Sequence, residues 1–144
     1  MSLAAQLDAY IAAQAVQPFG WAKHNCCHFA AGWLRAATGR DPMAGLPVTH
    51  SRTAARRLIL QLGGTLADAW TRRLRRAPIA PELAQVGDIV LVPLGEASEA
   101  VGICTGRHAA LLTAEDGLAM LPMRLATRAW RLRADGEESP PCAP

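Results

Sequence analysis

Apolar residues recur every three to four positions through the first half of the chain and gather into short runs in the second. Leu3, Leu7, Tyr10, Ile11 and Ala15 share one stripe of a helix over residues 3–16. Ser2 is placed to cap it, and Pro18-Phe19-Gly20 to stop it. Asn25 is placed to cap a second helix running to about Thr38. Cys26, Phe29, Ala30, Trp33, Leu34 and Ala37 lie three or four apart on its inward face, and Gly39 ends it. A turn-rich stretch, GRDPMAGLP, follows. Ser51 opens a third helix with Ala54, Leu58, Ile59 and Leu62 on one side, closed by Gly63-Gly64. Thr65 is placed to cap a short fourth helix through LADAWTRRL.

The period then changes. VGDIVLVPLG (86–95) and EAVGICTG (99–106) read as strands, announced by Gly87-Asp88 and rich in Val and Ile. HAALLTA (108–114) follows the Gly106-Arg107 turn, Glu115-Asp116-Gly117 turns into LAMLPM, and RAWRLR (128–133) closes the series. Helices first and an antiparallel meander afterwards predict an α+β architecture with the helices on one face of the sheet. Residues 1–133 are expected to form one domain, and the polar, Pro-rich residues 134–144 a disordered C-terminal tail.

Composition narrows this picture only a little. The net charge of +3 does not call for a nucleic-acid partner. The Arg pairs at 56–57, 72–73 and 75–76 nevertheless make the middle of the chain basic, which fits either solvated helix faces or an anionic partner. No run approaches the roughly 20 apolar residues of a membrane span. MSLAAQLDAYIAAQAV has no basic n-region and contains Asp8, so no signal peptide is expected. Synthesis in a reducing cytoplasm follows, and the four cysteines are not expected to form a disulfide framework.

The chemistry concentrates in His24-Asn25-Cys26-Cys27-His28. Structural zinc wants four Cys or His ligands in spaced pairs, whereas adjacent cysteines on a helix point about 100° apart and no second pair lies downstream. No metal and no cofactor is therefore expected. A vicinal disulfide is strained and disfavoured by the compartment. Two readings stay open. A thiol in the first turn sits at the positive end of the helix dipole, where free amides stabilise a thiolate and can hold an oxyanion. A small buried residue packed at a helix start is the other.

The segment WAKHNCCHFAAGWL (21–34) resembles the nucleophile segment of NlpC-type papain-like cysteine peptidases, which cleave peptide links in bacterial peptidoglycan. Trp21 matches the family's aromatic, Asn25 its Asp, Cys26 its nucleophile and Cys27 its Ser. VGDIVLV (86–92) and AVGICTG (100–106) resemble its Gly-Asp and Val-Gly strands. Over roughly residues 19–132 the chain is similar to short proteins from phage and prophage tail loci. The resemblance implies a papain-like fold, phage tail or baseplate proteins as partners, peptidoglycan as a possible ligand, and residence at the virion tail tip after synthesis in the bacterial cytoplasm.

It also exposes two departures. Ala100 stands at the family's base His, and Leu112 falls near the second polar position. Neither can take a proton from Cys26. His24, which precedes the helix, is the best local substitute, and His108 the second. His28 lies about 200° around the helix from Cys26, and His50 lies in a loop. The expected function is thus a tail-associated module with a degenerate peptidase site, and the alternative is a working peptidoglycan endopeptidase or amidase.

Overall fold

The computed structural model describes residues 1–133. The expected tail and Cys142 lie outside them. Four helices precede a five-stranded antiparallel sheet: α1 Leu3–Ala15, α2 Cys26–Thr38, α3 Arg52–Leu62, α4 Leu66–Leu74, then β1 Ile89–Pro93, β2 Glu99–Cys104, β3 His108–Thr113, β4 Gly117–Pro122 and β5 Arg128–Trp130. Single 3-10 turns at Pro81–Leu83 and Met123–Leu125 interrupt the connections. The strands lie in the order β4-β3-β2-β1-β5, a meander closed by β5 returning to the far side of β1.

Each helix begins where a short polar side chain satisfies an orphan amide. The Ser2, Asn25, Ser51 and Thr65 side-chain oxygens accept from the amides of Ala5, His28, Ala54 and Asp68 at 3.0–3.1 Å. Gly39 ends α2 at φ 80°, a left-handed conformation that costs glycine nothing.

α2 is the helix that the core is built around. Phe29, Ala30, Trp33 and Leu34 are buried against Ile89, Leu91, Val101, Ile103 and Leu112 of the sheet. The buried Trp33 indole N–H donates to the Gly87 carbonyl at 2.8 Å, pinning α2 to the turn that feeds β1. The Tyr10 hydroxyl donates to the Phe29 carbonyl at 2.6 Å, and Gly32 leaves the space that this tyrosine fills between α1 and α2. α3 differs from its neighbours: none of its residues is buried, and Leu58, Ile59 and Leu62 only half-cover an apolar cavity of about 60 Å³ against α4.

The other face of the sheet also carries an apolar cluster, with Val90, Val92, Cys104, Leu111 and Ala129 under Ile79, Ala84 and Met123. Loops rather than helices cover it. Burial on both faces explains why VGDIVLV reads as one apolar run instead of an alternation.

The strands are shorter than their apolar runs. Residues 86–88 form a turn before β1, because Gly87 sits at φ 95° and the Asp88 carboxylate turns back to accept from the Gln85 amide (2.9 Å) and the Leu132 amide (2.8 Å). Asp88 therefore joins the start of β1 to the end of β5 from a buried position. Asp88→Ala is expected to leave two amides without a partner and to cost about 3 kcal/mol of stability. Urea denaturation measures this, and a loss below about 0.5 kcal/mol would contradict the role assigned to the carboxylate.

Candidate functional site

The loop before α2 is pinched into shape by its own backbone. Gly20 and His24 exchange both amide–carbonyl bonds, at 2.8 and 2.9 Å. Asn25 then locks the helix start from both sides: its side-chain oxygen caps the His28 amide, and its side-chain NH₂ donates to the Trp21 carbonyl at 2.9 Å. Cys26 and Cys27 follow as the first two helical residues.

These two half-buried thiols act on each other. The Cys27 S–H donates toward the Cys26 sulfur, which is the main reason the Cys26 thiol is more acidic than usual; burial opposes the shift, and the backbone amides of Val101, Cys27 and Cys26 add to it. The same contact pushes Cys27 well above the ordinary thiol range, helped by burial and by the Cys26 charge, while the Trp70 indole pulls it partly back. Of the two, Cys26 is the more easily ionised and Cys27 holds its proton more firmly. Val101 belongs to β2, so the sheet itself supplies one of the amides.

Cys26 opens onto a cleft of about 630 Å³ between the α2 start, α3 and the ends of β2 and β3. Phe19 and Trp21 form one wall, edge to face with ring centroids 5.0 Å apart. The Arg52 guanidinium lies over the Trp21 ring at 5.7 Å and pairs with Glu115 across the rim at 3.5 Å. Ala100 and Leu112 line the same cleft, and both are buried. The packing of α2 on the sheet therefore brings Cys26, Ala100 and Leu112 to one cleft. Two of the three are alkyl.

Neither candidate substitute joins them. The ring of His24 is buried and lines a different cleft, with His28, Lys23 and Asp41, in which Cys26 takes no part. The Gly20–His24 backbone pairing directs the residue there instead of over the helix N-terminus. Its Nε2 has no hydrogen-bond partner among the described residues. His28 in that cleft is held below the usual histidine range by burial, with Asp41 acting against the shift and the neighbouring His24 reinforcing it. His108 begins β3 opposite Pro122, whereas Leu112 and Thr113 at the other end of the strand reach the cleft, roughly 13–17 Å away at strand rise. His50 is exposed ahead of α3.

Trp21, which matches the aromatic of the resemblance, is a wall of the cleft, and Asn25, which matches its Asp, is the cap of α2. Arg52, Glu115 and Trp70 were not anticipated as parts of the site. Trp70 fits its helix's apolar stripe, and nothing in that stripe announces its effect on the acidity of Cys27. Cys104 packs as a buried core thiol, pushed up chiefly by burial. Among the described residues no three His, Cys, Asp or Glu side chains converge as a metal set. No described helix is long and apolar enough to cross a membrane.

A family model described as "Domain of unknown function (DUF6950)" matches residues 2–132. The chain belongs to that family. The match takes in every element from α1 to β5, so the thiol pair and the cleft with Ala100 and Leu112 all fall within the matched residues. Among curated proteins no match was found.

Proposed function

We propose that this DUF6950 chain is a papain-like module of the NlpC type that has kept its thiol and lost its base, and that it serves as a structural and interaction component of a phage or prophage tail. The observation that carries this reading is the pair Ala100 and Leu112. Both are buried in the cleft that Cys26 opens onto, and neither can move a proton. A cysteine peptidase must protonate the departing amine, and no histidine lines this cleft. Phage tail and baseplate proteins are then the partners, and the virion tail tip the destination. Mass spectrometry of purified virions from a host strain that encodes the chain tests the assignment. The chain is expected at stoichiometric level in assembled tails, and its absence from them would overturn the reading.

One observation favours the alternative, an active endopeptidase or amidase acting on peptidoglycan stem peptides. The Cys26 thiol is made more acidic and stands among amides able to hold an oxyanion. That reading requires muropeptide release by the wild type and none by Cys26→Ala.

A further inference from the structure

The two edges of the sheet are finished differently. β5 forms one edge, and the chain seals it: Ile79 and Ala129 exchange both backbone bonds, at 2.7 and 3.1 Å. β4 forms the other, and among the described residues nothing pairs with its outer side. Its six residues, Gly-Leu-Ala-Met-Leu-Pro, carry no charge, and Met120 at mid-strand is 47% exposed. An open apolar strand is a template for another strand, and sheets that stay alone blunt such an edge with charge, a bulge or a cover.

The register tells which backbone groups are open. The Thr105 amide donates to the His108 carbonyl at 2.8 Å, so His108 and Ala110 bond toward β2. Ala109, Leu111 and Thr113 then bond toward β4, opposite Leu121, Ala119 and Gly117. The Met123 amide, donating to the Arg107 carbonyl at 2.9 Å, continues that phase. Leu118 and Met120 therefore point both N–H and C=O outward, and Pro122 its C=O. Proline is tolerated there because its missing N–H falls on the outer side.

A second copy of the same strand fits these groups. When it lies antiparallel about a twofold axis at Met120, each Met120 exchanges both bonds with its counterpart, and each Leu118 amide meets a Pro122 carbonyl. The same register sets Asp116 level with Arg124 of the second copy on both sides of the axis. Glu115 already pairs with Arg52. The side chains of Asp116 and Arg124 are exposed and make no hydrogen bond or ion pair among the described residues. The neighbouring register, with Leu118 opposite Met120, sets Asp116 against Pro122 and loses the charge match.

We propose that β4 is the interface of a homodimer, joined strand to strand about Met120 with Asp116 and Arg124 pairing at each end. The two sheets become one, and the sealed β5 edges stop the assembly at two copies. This inference is independent of what the thiol cleft does.

Sedimentation of the full chain over a concentration series tests it. One strand pair is a small interface, so a dimer Kd on the order of 10 μM is expected. Met120→Lys places like charges opposite each other on the axis and should weaken the dimer about tenfold or more. Asp116→Arg and Arg124→Asp should each weaken it several-fold, and the two together should restore it. All three residues are exposed in the monomer, so the melting temperature of dilute protein should hold in every variant. A chain still monomeric at about 0.5 mM would overturn the proposal. So would a dimer indifferent to Met120→Lys or to the single charge reversals, or a double reversal that fails to restore what the single ones remove.

Discussion

Gly102→Ala is expected to lower the melting temperature by roughly 10 °C, or to prevent folding altogether. Gly102 lies in the middle of β2, paired with Val90 of β1. A Cβ there would collide with the Leu111 side chain and with the backbone carbonyl of Ala110 on β3. A leucine tip can move; a carbonyl inside a buried ladder cannot without breaking register. Overpacking of this kind costs about 3 kcal/mol, a large part of the 5–15 kcal/mol that holds a domain of this size. At roughly 3–4 °C per kcal/mol the shift follows. The requirement is for space, since Gly102 has no positive φ. Thermal denaturation followed by circular dichroism decides it, and a melting point within about 2 °C of wild type would mean that β2 and β3 pack less closely than described.

The second large effect concerns the thiols. In a Cys142→Ser background, iodoacetamide near neutral pH is expected to label Cys26 almost alone. Its acidity is raised by Cys27 and by the amides of Val101 and the helix start, whereas Cys27 and Cys104 are both pushed the other way. The direction with pH follows from those causes. A lowered pKa leaves more thiolate at a given pH, so alkylation of Cys26 should persist below the pH at which a free thiol stops reacting. Cys27→Ala removes the largest cause and should slow Cys26 labelling several-fold near neutral pH, with less effect in alkali, where the thiol is ionised anyway. Labelling that falls mainly on Cys27, or that Cys27→Ala accelerates, would contradict the assigned donor and acceptor.

Much of the architecture was legible in the residues because it is decided locally. Ser2, Asn25, Ser51 and Thr65 each cap the helix that they precede, since a side-chain oxygen next to three orphan amides needs no tertiary help. The inward face of α2 was equally plain from its three- and four-residue spacing. The strand limits were not, because apolar runs continue past β1 and β5 into segments shaped by Asp88, whose second partner, Leu132, lies 44 residues away. The site divides along the same line. The place of Cys26 at a helix start could be read from the Asn25 cap before it. Where His24 points was decided by a two-bond backbone bridge to Gly20, which no side-chain pattern announces. The contacts of Arg52 with Trp21 and Glu115 likewise depend on how α3 sits over the sheet.

The reading proposed above is that a thiol made more acidic faces a cleft lined by no histidine. Digestion of purified peptidoglycan sacculi tests it most directly, with released muropeptides quantified over time for wild type and Cys26→Ala. General acid–base assistance contributes about 10²–10⁴-fold to such a reaction, so a site without it should release no more than background. Equal, background-level release by both proteins is the predicted result. Release by wild type that Cys26→Ala abolishes would show that the cleft acquires a proton-transfer group from elsewhere, and the account of a degenerate site would fail.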